Sequence, residues 1–152
     1  MGKQLAQMHR SLSPNGLYGF DQDNYIGLSP QSNQWTESWC NFYLNHRLLP
    51  QIRLFESNGH CIQEKELFLQ KARERLSSHN PSPSLLHGFA LLFCTMSRDL
   101  WGGNVGFIRP STPVLFDPAT YYGDRETDII MTQVTTSLLL THSLSETFPT
   151  RS

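Results

Sequence analysis

Asp99-Leu100-Trp101-Gly102-Gly103-Asn104, with a second acid at Asp117 inside Val114-Leu115-Phe116-Asp117-Pro118, is the part of this chain that bears most directly on its fold and chemistry. An acid followed five residues later by an amide, on a glycine-containing loop, has the spacing of a phosphoryl-transfer catalytic loop. In such a loop the first acid accepts the proton of the attacking hydroxyl. The amide and the later acid supply oxygen ligands to a magnesium ion that bridges the nucleotide phosphates. D-x-x-x-x-N alone is a weak pattern, because polar turns of this composition are common. Its setting strengthens it. Residues 104–108 and 114–116 read as two short strands joined by a Pro/Ser/Thr turn, and that hairpin carries Asn104 and Asp117 to one edge.

Three segments together, Leu85-Leu86-His87-Gly88, Asp99 to Gly106, and Phe116-Asp117-Pro118-Ala119-Thr120-Tyr121-Tyr122-Gly123-Asp124-Arg125-Glu126, resemble the fructosamine kinase (ketosamine-3-kinase) family. That family is similar to the aminoglycoside phosphotransferases and has a two-lobed protein-kinase-like fold. It writes His-Gly-Asp-Leu-Trp without a break, whereas here Phe89 to Arg98 stand between Gly88 and Asp99. The resemblance implies an α+β, mainly helical chain equivalent to the C-terminal lobe of that fold, with the N-terminal nucleotide lobe absent. It covers residues 1–131, interrupted by the insert 89–98. Residues 132–152 do not match, are rich in Ser and Thr, and read as a weakly ordered tail.

By the same resemblance Asp99 is the general base, and Asn104 and Asp117 are the magnesium ligands. Trp101 either stacks on a sugar or plugs the core. His87 matches the family's loop histidine, which braces the catalytic loop, and the ten-residue insert puts that reach in question. Asp128 either accepts backbone N–H bonds from that loop or is a solvated helix carboxylate. The implied cofactors are ATP and Mg2+. The implied substrate is a ketosamine, free or on a glycated protein, phosphorylated on its sugar for deglycation. Two parts of a working kinase are missing from the sequence: no G-x-G-x-x-G loop occurs, and none of Lys3, Lys65 and Lys71 has a strand context suited to nucleotide phosphates. The chain is therefore expected to be inactive alone. A pseudokinase-like binding module and a non-functional gene fragment are the alternatives.

Composition narrows the class further. At 152 residues and a net charge of −1, with no basic run, the chain has one domain's worth of core and no nucleic-acid footprint. No segment has membrane-spanning length and the start lacks an apolar signal core. Cys40, Cys61 and Cys94 are odd in number and lack a C-x-x-C pair, which fits reduced thiols and a cytoplasmic setting. His60, Cys61, His79, Cys94 and His142 have no zinc-site spacing.

Periodicity predicts the elements around these motifs. Leu5, Met8 and Leu12 predict a helix over residues 2–12. Tyr18-Gly19-Phe20 and Tyr25-Ile26-Gly27-Leu28 are expected to pair as a hairpin, with Asn33 capping the next helix. Trp35, Trp39, Phe42, Tyr43, His46 and Leu49 predict an aromatic core helix that Pro50 stops. A second helix is expected from about Ile62 to Ser77, with Ile62, Leu69, Ala72 and Leu76 inward. Leu85-Leu86 read as a strand leading to His87, and Asp124 as the N-cap of a helix carrying Ile129 and Ile130.

Overall fold

The computed structural model describes residues 2–88, 105–109, 112–115 and 118–130. The insert 89–98, Asp99, Trp101, Asn104, Asp117 and the tail 132–152 lie outside the described residues. Helix α1 spans Gly2–Met8 and buries Leu5. The chain then turns, and Leu12 makes an antiparallel bridge to Ser84. The helix expected over 2–12 therefore stops four residues early. The amide of Leu85 donates to Ser11 O (2.8 Å) and that of Ser13 to Pro83 O (2.9 Å). These pairings draw residues 11–13 into extended backbone, and Leu12 is left exposed.

The first hairpin is β1 (Asn24–Ile26) with β2 (Ser29–Gln31), in the register Asn24↔Gln31 and Ile26↔Ser29. Its turn uses Gly27 at φ 56°, the left-handed region that glycine enters without cost. This corrects the pairing expected between 18–20 and 25–28. Tyr18 instead bridges Thr36, and Gly19 bridges Tyr122, so residues 18–20 join distant segments of the chain.

A continuous helical rod follows: α2 (Trp39–Tyr43), a π-helical turn over Leu44–Leu48, and α3 (Leu49–Ser57). Its N-cap is Ser38, whose hydroxyl accepts from Asn41 N–H, and not Asn33. Asn33 is buried, with its side-chain oxygen taken by Arg47. Pro50 does not stop the rod either. It sits in the first turn of α3, where its missing N–H costs least, and the turn before it widens so that Leu49 N–H reaches back to Leu44 O. The carbonyl four residues before Pro50, His46 O, accepts from the Arg47 guanidinium at 2.8 Å.

Helix α4 (Lys65–Ser77) starts three residues later than expected, after Glu64 in the left-handed conformation. Its half-buried Leu69, Ala72 and Leu76, with Ile62, cover a cluster of Cys40, Leu44, Leu48 and Ile52. A second cluster joins Tyr18, Trp39, Phe42, Leu86 and Tyr121, and ties the rod to β3 (Ser84–Leu86) and β6 (Tyr121–Gly123), which pair antiparallel. Strands β4 (Val105–Arg109) and β5 (Thr112–Leu115) form a third antiparallel pair, the hairpin predicted from residues 104–116. Among the described residues no helix is long and apolar enough to cross a membrane.

Candidate functional site

The site is built around Asp128, which is fully buried. It lies on the short helix over residues 126–130, whose first turn is capped by Asp124: Oδ1 of Asp124 accepts from Glu126 N–H at 3.0 Å. That cap sets the rotation of the helix and turns Asp128 toward the end of β3. There Oδ2 accepts from His87 N–H at 2.8 Å and Oδ1 from Gly88 N–H at 3.1 Å. A third donor, His9 Nε2, comes from the end of α1 and stands 3.0 Å from Oδ2. One carboxylate thus gathers three separate stretches: the first helix, the turn after β3 and the last described helix. Buried donors of this kind each cost about 1–3 kcal/mol if left without an acceptor, so the arrangement is strongly specified.

Gly88 is held on a second side. It has φ 79°, and a Cβ there would stand 2.0 Å from the carbonyl oxygen of Ala119. Only glycine permits both that conformation and that approach. The turn leading from His87 toward residue 99 is therefore pressed against the turn that follows Asp117. Ala119 O accepts from Gln31 Nε2 at 3.1 Å, and Thr120 O accepts from Asn24 Nδ2 at 2.8 Å.

Arg47 supports this region from the helical rod. It is buried, with its guanidinium 4.0 Å from the Tyr121 ring centroid and 4.6 Å from that of Phe42. It donates to Ser32 O at 2.8 Å and to Asn33 Oδ1 at 2.6 Å. Burial lowers the Arg47 pKa, and burial also pushes the Tyr121 hydroxyl up to about 12, so the phenol is neutral at ordinary pH. His46, on the same rod, is held below its usual value by burial and by Arg47.

Among the described residues, His79, Asp124 and Glu126 bring potential metal-ligand atoms within 4.8 Å of one another. Their contacts account for this without an ion. His79 Nε2 stands 2.7 Å from Asp124 Oδ2, and the other Asp124 oxygen caps Glu126.

Of the residues singled out from the sequence, His87 and Asp128 are brought together, through the backbone of His87. Asp99, Trp101, Asn104 and Asp117 fall outside the described residues. Sequence reasoning missed His9, Asn24 and Gln31. His9 was detectable: it lies four residues after Leu5, on the same helical face, and both are buried. The two amides lie in stretches, 23–27 and 29–35, that also resemble the family, but the resemblance attached no role to either residue.

The model of the fructosamine kinase family matches residues 1–143 of the chain. A probable ketoamine kinase of Vibrio parahaemolyticus is 41% identical over 133 residues, covering 88% of this chain and 42% of that protein. One from Synechocystis sp. is 37% identical over 134 residues, with the same coverage. A crystal structure of a candidate fructosamine-3-kinase from Haemophilus somnus superposes with a TM-score of 0.69 at 34% identity, over 82% of this chain and 38% of that one. Another from Thermobifida fusca also gives 0.69, at 31% identity, over 88% of this chain and 43% of that one. The architecture is thus α+β and of the kinase-like class to which these structures belong. The chain belongs to the fructosamine kinase family. It spans about 42% of the length of the curated relatives it matches.

Proposed function

We propose that this chain is the C-terminal lobe of an ATP-dependent ketosamine kinase, which phosphorylates the sugar of glycated amines, free or on proteins, as a step toward deglycation. Residues 1–131 form the lobe, interrupted by 89–98, and the family model's match runs on to residue 143. Asp99 accepts the proton of the attacking sugar hydroxyl and Trp101 stacks on the sugar ring. An amide oxygen and a carboxylate are hard donors that suit magnesium, so Asn104 and Asp117 would hold Mg2+, which supplies charge neutralisation at the nucleotide phosphates. His87 and Asp128 brace the loop that carries the base.

The observation that supports this reading most directly is the grip of Asp128 on the amides of His87 and Gly88. A fully buried carboxylate spent on two consecutive backbone N–H groups fixes a loop origin, which is what a positioned base requires. The chain alone should not turn over a ketosamine, because phosphoryl transfer depends on a phosphate cradle and the sequence has neither a Gly-rich loop nor a suitably placed lysine. An ATP-consumption assay with a fructosamine substrate tests this, and no turnover above background is expected. Turnover that disappears in Asp99→Asn would overturn the inactivity while supporting the assignment of the base.

A further inference from the structure

The sequence contains two Asn-Gly pairs, Asn15-Gly16 and Asn58-Gly59, and all four residues are exposed. Both glycines stand in left-handed backbone, φ 74° and 85°, with nothing within 4 Å of a Cβ position. Sequence and exposure therefore treat the two pairs alike, and hydrogen bonding separates them. Asn58 closes helix α3. There three successive amides return to its last carbonyls: Asn58 N–H to Leu54 O at 3.2 Å, Gly59 N–H to Glu56 O at 3.0 Å and His60 N–H to Phe55 O at 3.3 Å. Asn15 sits in the turn Ser13-Pro14-Asn15-Gly16, where Gly16 N–H reaches Ser13 O at 3.3 Å, a long bond. Its side-chain Oδ1 takes two donors, the Ser13 hydroxyl at 2.7 Å and Leu17 N–H at 2.9 Å. The ring closed by the second bond runs through Asn15 Cγ and the Gly16 nitrogen and holds them side by side.

We propose that Asn15-Gly16 is a site of spontaneous succinimide formation, leading to aspartate and isoaspartate, and that Asn58-Gly59 is shielded from the same reaction. The Gly16 nitrogen, its proton lost to solvent base, attacks Asn15 Cγ. A new C–N bond forms, the carboxamide C–N bond breaks, and ammonia leaves with a proton returned from solvent. Water then opens the succinimide at either carbonyl, and it is the one co-reactant the sequence of steps needs. Glycine suits the attack because no side chain crowds its nitrogen. The two donors on Oδ1 stay in place as charge builds on that oxygen, the arrangement that stabilises an oxyanion. At Gly59 the attacking nitrogen must first leave Glu56 O and loosen the end of α3, which slows the rate by about tenfold per hydrogen bond lost. Aspartate at position 15 keeps both acceptor roles. Isoaspartate routes the main chain through the side-chain carbon and lengthens a turn whose two ends are fixed. Those ends are Ser13 N–H on Pro83 O and Tyr18 N–H on Thr36 O, each at 2.9 Å.

The test ages the full chain in warm neutral buffer, folded and, in parallel, unfolded in urea. Each Asn-Gly peptide is followed by mass spectrometry, with electron-transfer fragmentation to tell isoaspartate from aspartate. Folding should slow the reaction at Asn58 by roughly tenfold or more relative to urea and leave Asn15 the faster site. Ser13→Ala, which removes one donor to Oδ1, should slow Asn15 by up to about tenfold and leave Asn58 unchanged. Hydrogen exchange at the Ser13 and Tyr18 amides should be faster in the aged isoaspartate fraction, whereas Asn15→Asp should match the fresh parent. Equal rates at the two sites in the folded chain, or a faster Asn58, overturn the assignment. An unchanged rate in Ser13→Ala overturns the role of the Oδ1 donors. Unchanged exchange in the aged fraction overturns the effect on the turn.

Discussion

At Gly88 a single missing Cβ holds two loops together. The position combines φ 79° with a carbonyl 2.0 Å from where a side chain would begin. Gly16 is the natural comparison, since it has φ 74° and nothing within 4 Å. Left-handed backbone at a non-glycine residue costs about 1–3 kcal/mol. Gly16→Ala should therefore lose roughly that much in urea denaturation. Gly88→Ala should lose clearly more, because Ala119 must also move, and the difference between the two measures the close approach. Equal losses would mean that the Gly88 turn and the Ala119 turn separate easily. The residue scale is also where legibility was most uneven. His87 and Asp128 stood in a recognisable motif. For Asn24 and Gln31 the sequence could not show which distant carbonyls they meet.

The helical rod from Trp39 to Ser57 shows how an element can outlast the residue expected to end it. The aromatic stripe Trp39, Phe42, Tyr43 was readable from spacing alone, and it packs as the core. What spacing could not show was that Arg47 repairs the break at Pro50 by donating to His46 O, and that the same guanidinium anchors Ser32 and Asn33. An arginine three residues before a proline looks like a solvated charge until its partners are placed. Arg47→Met should leave several buried acceptors bare, at about 1–3 kcal/mol each, and lower the midpoint of denaturation accordingly. Arg47→Lys should rescue little, since one ammonium cannot span three acceptors while stacking on Tyr121. Full rescue by lysine would reduce Arg47 to a simple buried charge. Helix α1 was overextended in the sequence reading for a related reason. Local periodicity at Leu12 lost to pairing with Ser84, a partner distant in the chain.

For the whole molecule, the stretch 89–117 leaves from and returns to anchored ends. Gly88 is tied to Asp128, and the backbone after Pro118 is tied to the first hairpin. Loop-closure entropy rises only logarithmically with length, so ten extra residues at 89–98 cost the closure itself little. Phe89, Ala90, Leu91, Leu92 and Phe93 form an unbroken apolar run, and such a run is costly wherever it is left in solvent. Deleting Phe89 to Arg98 should therefore raise the thermal midpoint, and an equal or lower midpoint would make the insert an integral part of the fold. The bond between His9 and Asp128 joins residues 119 apart in sequence, and Tyr121 completes a core begun by Tyr18 and Trp39. During synthesis α1 and the aromatic rod emerge well before Asp128 and Tyr121, the partners that complete their packing. The nascent chain must carry Trp39, Phe42 and Leu86 incompletely packed until Tyr121 is made, and contacts of such long sequence separation close slowly. The order of manufacture, more than the final packing, is where this architecture is most exposed to aggregation.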